Sequence, residues 1–230
     1  MAKALKEVIQ SIIEDAFNRI EYAYLHHQVI KPDVIINNKT AIPTHLIFPK
    51  YRGKDVTRVS EQELRFAFVE AFNAYCNKMD NKDKLDLFYS IETPTQEKYS
   101  FSDGEPKVIR EEKGGRSAEF DLVVFDKNLK RVCLIEFKAR SVKPANYQKD
   151  IIKLIEDKKD KNGTKEDGVL SFFINLFESS DAGTINTMKE KIKEFIKNNN
   201  YMNEEDVVIG YYVLGTSERS FKPLKDISFL

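Results

Sequence analysis

From Leu5 onward the apolar positions Val8, Ile9, Ile12, Ala16, Ile20 and Tyr24 recur at intervals of three and four, which predicts a long amphipathic helix over about Lys3 to His27. That helix needs a partner surface. Periodicity then lapses between Val29 and Arg58, where Pro32, Pro43 and Pro49 predict an irregular connection with short extended pieces. A second helix is predicted from Ser60: Ser60-Glu61-Gln62-Glu63 has the spacing of a capping box, and Leu64, Phe68, Ala71 and Tyr75 share one face.

The pattern then turns to strands. Leu85 to Ile91 and Glu97 to Phe101 read as two strands, with Thr93-Pro94-Thr95 interrupting them because proline removes a ladder donor. Ala118 to Phe125 and Arg131 to Phe137 are dense in Val, Leu, Ile and Phe, and the polar stretch Asp126 to Lys130 between them predicts a hairpin. After Pro144 a helix is expected from about Asn146 to Lys159, with Ile151, Ile152, Leu154 and Ile155 on its apolar face, followed by a solvated linker over Lys158 to Lys165. Val169 to Phe177, then Ile185, Met188, Ile192, Phe195 and Ile196, then Val207 to Leu214 read as strand, helix and strand. Phe172 to Phe177 taken alone also admits a helix. The expected class is mixed α/β, a central mixed sheet flanked by helices with a long N-terminal helix. It is expected to form one domain over 1–230, with 1–58 as an extension packed on a core at 60–215.

Composition changes this picture little. The 41% apolar and 32% charged residues, with 16 Phe and 10 Tyr, describe a chain that buries a core. The 37 basic and 37 acidic residues cancel, so attraction to a polyanion has to come from a local patch. One exists: Lys138 to Lys165 carries nine basic against four acidic residues, and Lys143, Lys149 and Lys153 are candidate phosphate contacts, with a solvated helix face the equal alternative. Gln148 is either a supporting polar group or surface. Cys76 and Cys133 lie in apolar segments and are expected to be free thiols, and the charge-interrupted N-terminus suits neither a signal peptide nor a membrane span, so a cytoplasmic setting is expected. His26, His27 and His45 lack zinc spacing, and Gly104 and Gly114-Gly115 belong to no phosphate-loop motif.

The candidate chemistry comes from strand alternation. Leu134, Glu136 and Lys138 fall on one face of their strand, and Glu119 and Asp121 on one face of theirs. In a hairpin centred on Asn128 and Leu129, residues whose numbers sum to 257 are opposed, so Asp121 faces Glu136 and Glu119 faces Lys138. Opposed Cβ atoms lie about 4.5–5.5 Å apart, close enough for two carboxylates to share one hard cation and for a lysine to reach its water or a phosphate oxygen. With no cation or proton between them the carboxylates would repel.

Phe120-Asp121-Leu122-Val123-Val124-Phe125 followed by Leu134-Ile135-Glu136-Phe137-Lys138-Ala139 resembles the motif of the PD-(D/E)xK nuclease superfamily, although Phe120 stands where that motif has proline. The resemblance implies a restriction-endonuclease-like fold and hydrolysis of nucleic acid with Mg2+, for which Mn2+ substitutes. It implies metal ligation by Asp121 and Glu136, and a role for Lys138 as base or electrostatic stabiliser. The superfamily also usually draws a glutamate from the preceding helix. Glu61 lies about 50° from the centre of the inner face and Glu63 about 110°, which favours Glu61 with Glu63 as the alternative. The expected function is a DNA endonuclease, of restriction type among the options, with a twofold dimer the simplest way to cut both strands. A noncatalytic nucleic-acid-binding or scaffold protein on the same fold is the competing reading.

Overall fold

The computed structural model describes residues 2–28, 43–48, 59–77, 85–100, 107–109, 114–139, 144–159, 166, 168–178, 182–216 and 218–229. The periodic segment near the start forms α1 (Ala2–Gln28), and the segment after Ser60 forms α2 (Glu61–Cys76). The remaining elements, in chain order, are β1 (Leu87–Ser100), β2 (Lys107–Ile109), β3 (Arg116–Asp126), β4 (Arg131–Ala139), α3 (Pro144–Glu156), β5 (Leu170–Glu178), α4 (Ala182–Asn198), β6 (Val207–Leu214) and β7 (Glu218–Pro223). A 3-10 segment (Leu224–Phe229) ends the described chain.

All seven strands join one mixed sheet in the order β2-β1-β3-β4-β5-β6-β7. β3 and β4 are an antiparallel hairpin, while β4, β5 and β6 run parallel, with α3 and α4 as the crossovers between them. The stretch Phe172 to Phe177 is therefore strand. Parallel strands covered on both faces read as near-continuous apolar runs, and every residue of β6 and all but the last of β5 are buried, the polar Ser171 and Asn175 of β5 included.

Helices flank the sheet on both sides. Ile9, Ile13 and Phe17 of α1 and Leu64 and Phe68 of α2 pack with Cys133, Ile135 and Phe137 of β4. On the opposite face Ile151 and Leu154 of α3 and Ile192 of α4 pack with Leu134 of β4 and Phe173 of β5. Residues 133 to 137 thus alternate between layers as a strand requires. Cys133 is buried and Cys76 half-buried, and both are free thiols. Among the described residues no helix is long and apolar enough to cross a membrane.

Three expectations are corrected. Thr93-Pro94-Thr95 does not divide two strands: β1 runs through it, with a register shift between Pro94 and Lys98. Among the described residues β2 pairs only with Lys98–Ser100, so at Pro94 the far side of β1 has no ladder for a missing N–H to break. The capping box at Ser60 is not formed either, since the Ser60 hydroxyl donates to the Glu63 carboxylate and makes no side-chain bond to the helix backbone. The segment expected as a solvated linker opens with a buried residue, Lys158 at 2% exposure, preceded by Asp157, whose carboxylate accepts from Arg131 at 2.6 Å. Lys159 pairs with Glu156 and Glu204, and residues 160–165 lie outside the described set. Strand β7 and the 3-10 segment had no apolar run to announce them. Val29 to Arg58 is described only at 43–48, where it is neither helix nor strand.

The β3–β4 connection is tight. The Asp126 N–H donates to the Lys130 carbonyl and the Asp126 carbonyl accepts from the Leu129 N–H, both at 2.9 Å, and its carboxylate accepts from the N–H groups of Asn128 and Lys130. Leu129 takes a positive φ of 58° and is 71% exposed.

Candidate active site

The hairpin register pairs Leu122 with Ile135, Val123 with Leu134 and Val124 with Cys133, so the numbers sum to 257, as a turn centred on Asn128 and Leu129 requires. A shift between Val124 and Phe125 absorbs the odd residue near the turn. At the other end the ladder stops at Leu122. There the Asp121 carboxylate, through Oδ2, accepts the backbone N–H of Phe137 at 2.8 Å. A side chain thus satisfies a donor that the diverging partner strand no longer reaches.

Asp121 also marks a change of face. Leu122 and Val124 pack against α1 and α2, whereas Ala118, Phe120 and Val123 pack on the α3 and α4 side. Strict alternation therefore breaks at this residue. On β1, Ile91 pairs with Leu122 and Thr93 with Phe120, which leaves Glu92 opposite Asp121 with a positive φ of 48°. Non-glycine residues rarely hold that conformation, and such residues concentrate at functional sites.

The opening where β3 and β4 part is a cleft of about 360 Å³ whose lining includes Arg65, Glu92, Arg116, Glu119, Asp121, Glu136, Lys138, Lys149, Asp150 and Lys153. Five elements supply its charges, α2, β1, β3, β4 and α3. From α2, Arg65 donates to Asp121 Oδ1 at 2.5 Å and to Glu92 at 3.2 Å. From α3, Lys153 donates to Glu136 Oε1 at 2.5 Å and to the Glu119 carbonyl at 2.8 Å, and is ion-paired with Asp150 Oδ1 at 3.0 Å. Lys138 of β4 reaches Asp150 Oδ2 at 3.0 Å and Glu61 Oε2 at 3.7 Å.

Burial pushes the Glu136 carboxyl well above the usual range, and the neighbouring charges of Asp150 and Asp121 push the same way against the pull of Lys153. Burial acts to lower Lys138, but Asp150, Glu136, Asp121 and Glu61 outweigh it and the net direction is up. Lys153 behaves similarly, with Glu136 and Asp150 overcoming burial. Both lysines are held as ammonium groups.

Asp121, Glu136 and Lys138 therefore meet in one cleft, with Glu61 at its edge. Glu63 is turned to Ser60. Lys138 is ion-paired with Asp150 and Glu61, not with Glu119 as simple opposition would have it. Lys149 is half-buried in the lining, and Gln148 is half-buried outside it. Lys153 does not stand on a solvated face: it is 3% exposed and committed to three oxygens, so a phosphate would have to enter the cleft to meet it. Lys143 lies outside the described residues.

Asp150, Arg65 and Glu92 belong to the site without having been singled out from the strands. Helical spacing carries a trace of two of them. Asp150 lies three residues after Tyr147 and Lys153 three after Asp150, on a helix whose buried face includes Tyr147, Ile151 and Leu154, while Arg65 is three residues before Phe68. Charges on a buried helix face require partners.

Among the described residues no three His, Cys, Asp or Glu side chains are grouped to hold a metal unaided. Mg2+ does not require such a cage, because it retains waters and uses one or two carboxylates plus substrate phosphate. The donor set at this cleft fits: it is all oxygen, and the Lys153 ammonium already rests among three of those oxygens as a cation would. No family model, curated protein or solved structure matches the chain.

Proposed function

We propose that this protein is a divalent-metal-dependent endonuclease that hydrolyses DNA phosphodiester bonds, built on a restriction-endonuclease-like core of the PD-(D/E)xK type. The observation that carries the reading is the meeting of Asp121, Glu136 and Lys138 in one cleft where β3 and β4 part. Asp121 and Glu136 would hold the ion, with Mg2+ as the working cation and Mn2+ as its substitute. When bound, the ion polarises the phosphodiester and lowers the pKa of a water.

The protein's own groups do the rest. Lys138, kept protonated by the carboxylates around it, donates to charge growing on the phosphate and serves as stabiliser in preference to base. Asp150 fixes that ammonium at 3.0 Å, and Glu61 does so more loosely at 3.7 Å. Arg65 and the Phe137 N–H hold the two oxygens of Asp121 in place. Arg116 and Lys149 in the cleft lining are the candidate contacts to the DNA backbone.

A noncatalytic nucleic-acid-binding reading draws on one observation: Glu136 and Asp121 each already have an internal cation, Lys153 and Arg65. One experiment separates the two. Purified protein should nick or linearise plasmid DNA with Mg2+ or Mn2+ and not with EDTA, and Asp121→Asn and Glu136→Gln should each lower the rate by roughly 100-fold or more, a loss of about 3 kcal/mol or more of transition-state stabilisation. Undiminished cleavage by both variants would remove the endonuclease mechanism. A folded wild type inert on linear, circular and single-stranded DNA would favour the noncatalytic protein.

A further inference from the structure

The Lys153 ammonium has oxygens of three residues within 3.0 Å. An ammonium offers three N–H bonds, and the three nearest oxygens are Glu136 Oε1, the Glu119 carbonyl and Asp150 Oδ1 at 2.5, 2.8 and 3.0 Å. The Phe120 ring, 5.6 Å from the nitrogen, backs it from a fourth direction. This is a cation seated in oxygen ligands at the carboxylate that the metal-dependent reading assigns to a divalent ion.

Asp150 gives that lysine somewhere else to stay. Its two oxygens serve different partners, Oδ1 the Lys153 ammonium and Oδ2 the Lys138 ammonium. If Lys153 releases Glu136, it keeps Asp150 and the Glu119 carbonyl, so it need not carry an unpaired charge through the core. The long lysine stem allows such a shift without moving α3.

We propose that Lys153 is a built-in counter-cation for Glu136, and that a divalent ion binds by displacing its ammonium onto Asp150. This rests on the metal-dependent reading above. Lys153 is then a positioning residue that sets metal affinity: it keeps the buried carboxylate compensated in the free protein and competes with the ion for it.

The test is calorimetric titration with MnCl2 at fixed pH and ionic strength on wild type, Lys153→Met and Lys153→Gln, each checked by far-ultraviolet circular dichroism. Removing the competitor should tighten Mn2+ binding by about tenfold or more in Lys153→Met, the scale of one charge-assisted hydrogen bond. Lys153→Gln, which keeps a donor without the charge, should move the same way by less. Thermal melts give a second reading: without metal the variants should melt below wild type, and Mn2+ should raise their Tm by more than it raises that of wild type. If wild type binds Mn2+ and neither variant binds it more tightly, displacement is overturned while the metal-dependent reading stands. If folded wild type and folded variants all fail to bind Mn2+, the metal-dependent reading falls and displacement falls with it.

Discussion

The carboxylate of Asp121 accepts the backbone N–H of Phe137 at 2.8 Å, so a side chain of β3 closes the hydrogen bonding of β4 where the ladder between them has ended. Asp121 thereby belongs to the sheet as much as to the cleft, and its second oxygen is free of that duty and faces Arg65. Cleft and scaffold meet at one residue, which bears on how substitutions there should be designed. Asparagine keeps an oxygen for Phe137; alanine would leave a donor without its partner and confound folding with function.

Lys138→Ala is expected to separate binding from turnover. The carboxylates of Asp121 and Glu136 remain, so Mn2+ titration should still give a binding isotherm. Plasmid cleavage should fall roughly 100- to 1,000-fold, the usual cost of removing one donor aimed at developing charge. Loss of binding and cleavage in parallel would mean that Lys138 organises the ligands and does not assist the reaction.

Glu61 and Glu63 can be ranked by their partners. Glu61 lies 3.7 Å from the Lys138 ammonium and is 41% exposed, whereas Glu63 is occupied by Ser60 at the start of α2. Glu61→Gln should reduce the cleavage rate by roughly twofold to fivefold, as expected of a partly exposed charge pair. Glu63→Gln should leave the rate unchanged. Single-turnover measurements on both variants, matched for melting temperature, would reveal the reverse order if the wrong glutamate has been chosen.

Much of this arrangement was legible in the sequence, and the limits have physical causes. The register that opposes Asp121 and Glu136 follows from loop parity, and the structure keeps it from Leu122 to Val124. The apolar runs of β5 and β6 were legible because strands buried on both faces are predominantly apolar, although the Phe172 to Phe177 run by itself also admitted a helix. Pairwise opposition did not extend to Lys138. The ladder ends before that residue, and its partner Asp150 comes from a helix 12 residues later. Arg65 meets Asp121 across 56 residues of chain, a proximity that only the packing of α2 on the sheet creates. Strand β7, with exposed and half-buried residues only, carries no pattern distinguishing it from a loop.

Asp157, which is not part of the cleft lining, should prove decisive for stability. Its fully buried carboxylate accepts from Arg131 at 2.6 Å and from the Glu97 N–H at 2.9 Å, tying the start of β4 to β1 and to the end of α3. Asp157→Ala would strand the Arg131 guanidinium, itself 8% exposed, and should destabilise the fold by about 3–5 kcal/mol in urea titration. A change under about 1 kcal/mol would mean that Glu166, 3.0 Å from the same guanidinium, is partner enough.

Glu21 gives a pH dependence with a definite sign. Burial raises its pKa above the usual 4.5, and the bonds from the Gly215 N–H and Tyr212 oppose this without cancelling it. The folded state thus holds the proton more tightly than the unfolded chain does. The resulting stabilisation is fully present below the unfolded value and is lost as pH rises through the raised folded value. Glu21→Gln, which still accepts from Gly215, should melt higher than wild type at pH 7 and show a flatter Tm profile between pH 4 and pH 7. Parallel profiles for the two proteins would contradict the assignment.

The turn that joins β3 to β4 offers a practical handle. It lies five residues along β3 from Asp121, about 17 Å at strand rise, and its Leu129 side chain points into solvent while the Asp126 carboxylate braces the backbone beneath it. A cysteine at 129 would carry a fluorophore or a surface linker away from the cleft, with Cys133 buried and Cys76 half-buried as the competing thiols. Single molecules tethered there would present the opening between the strands outward, leaving a long DNA unobstructed access to it.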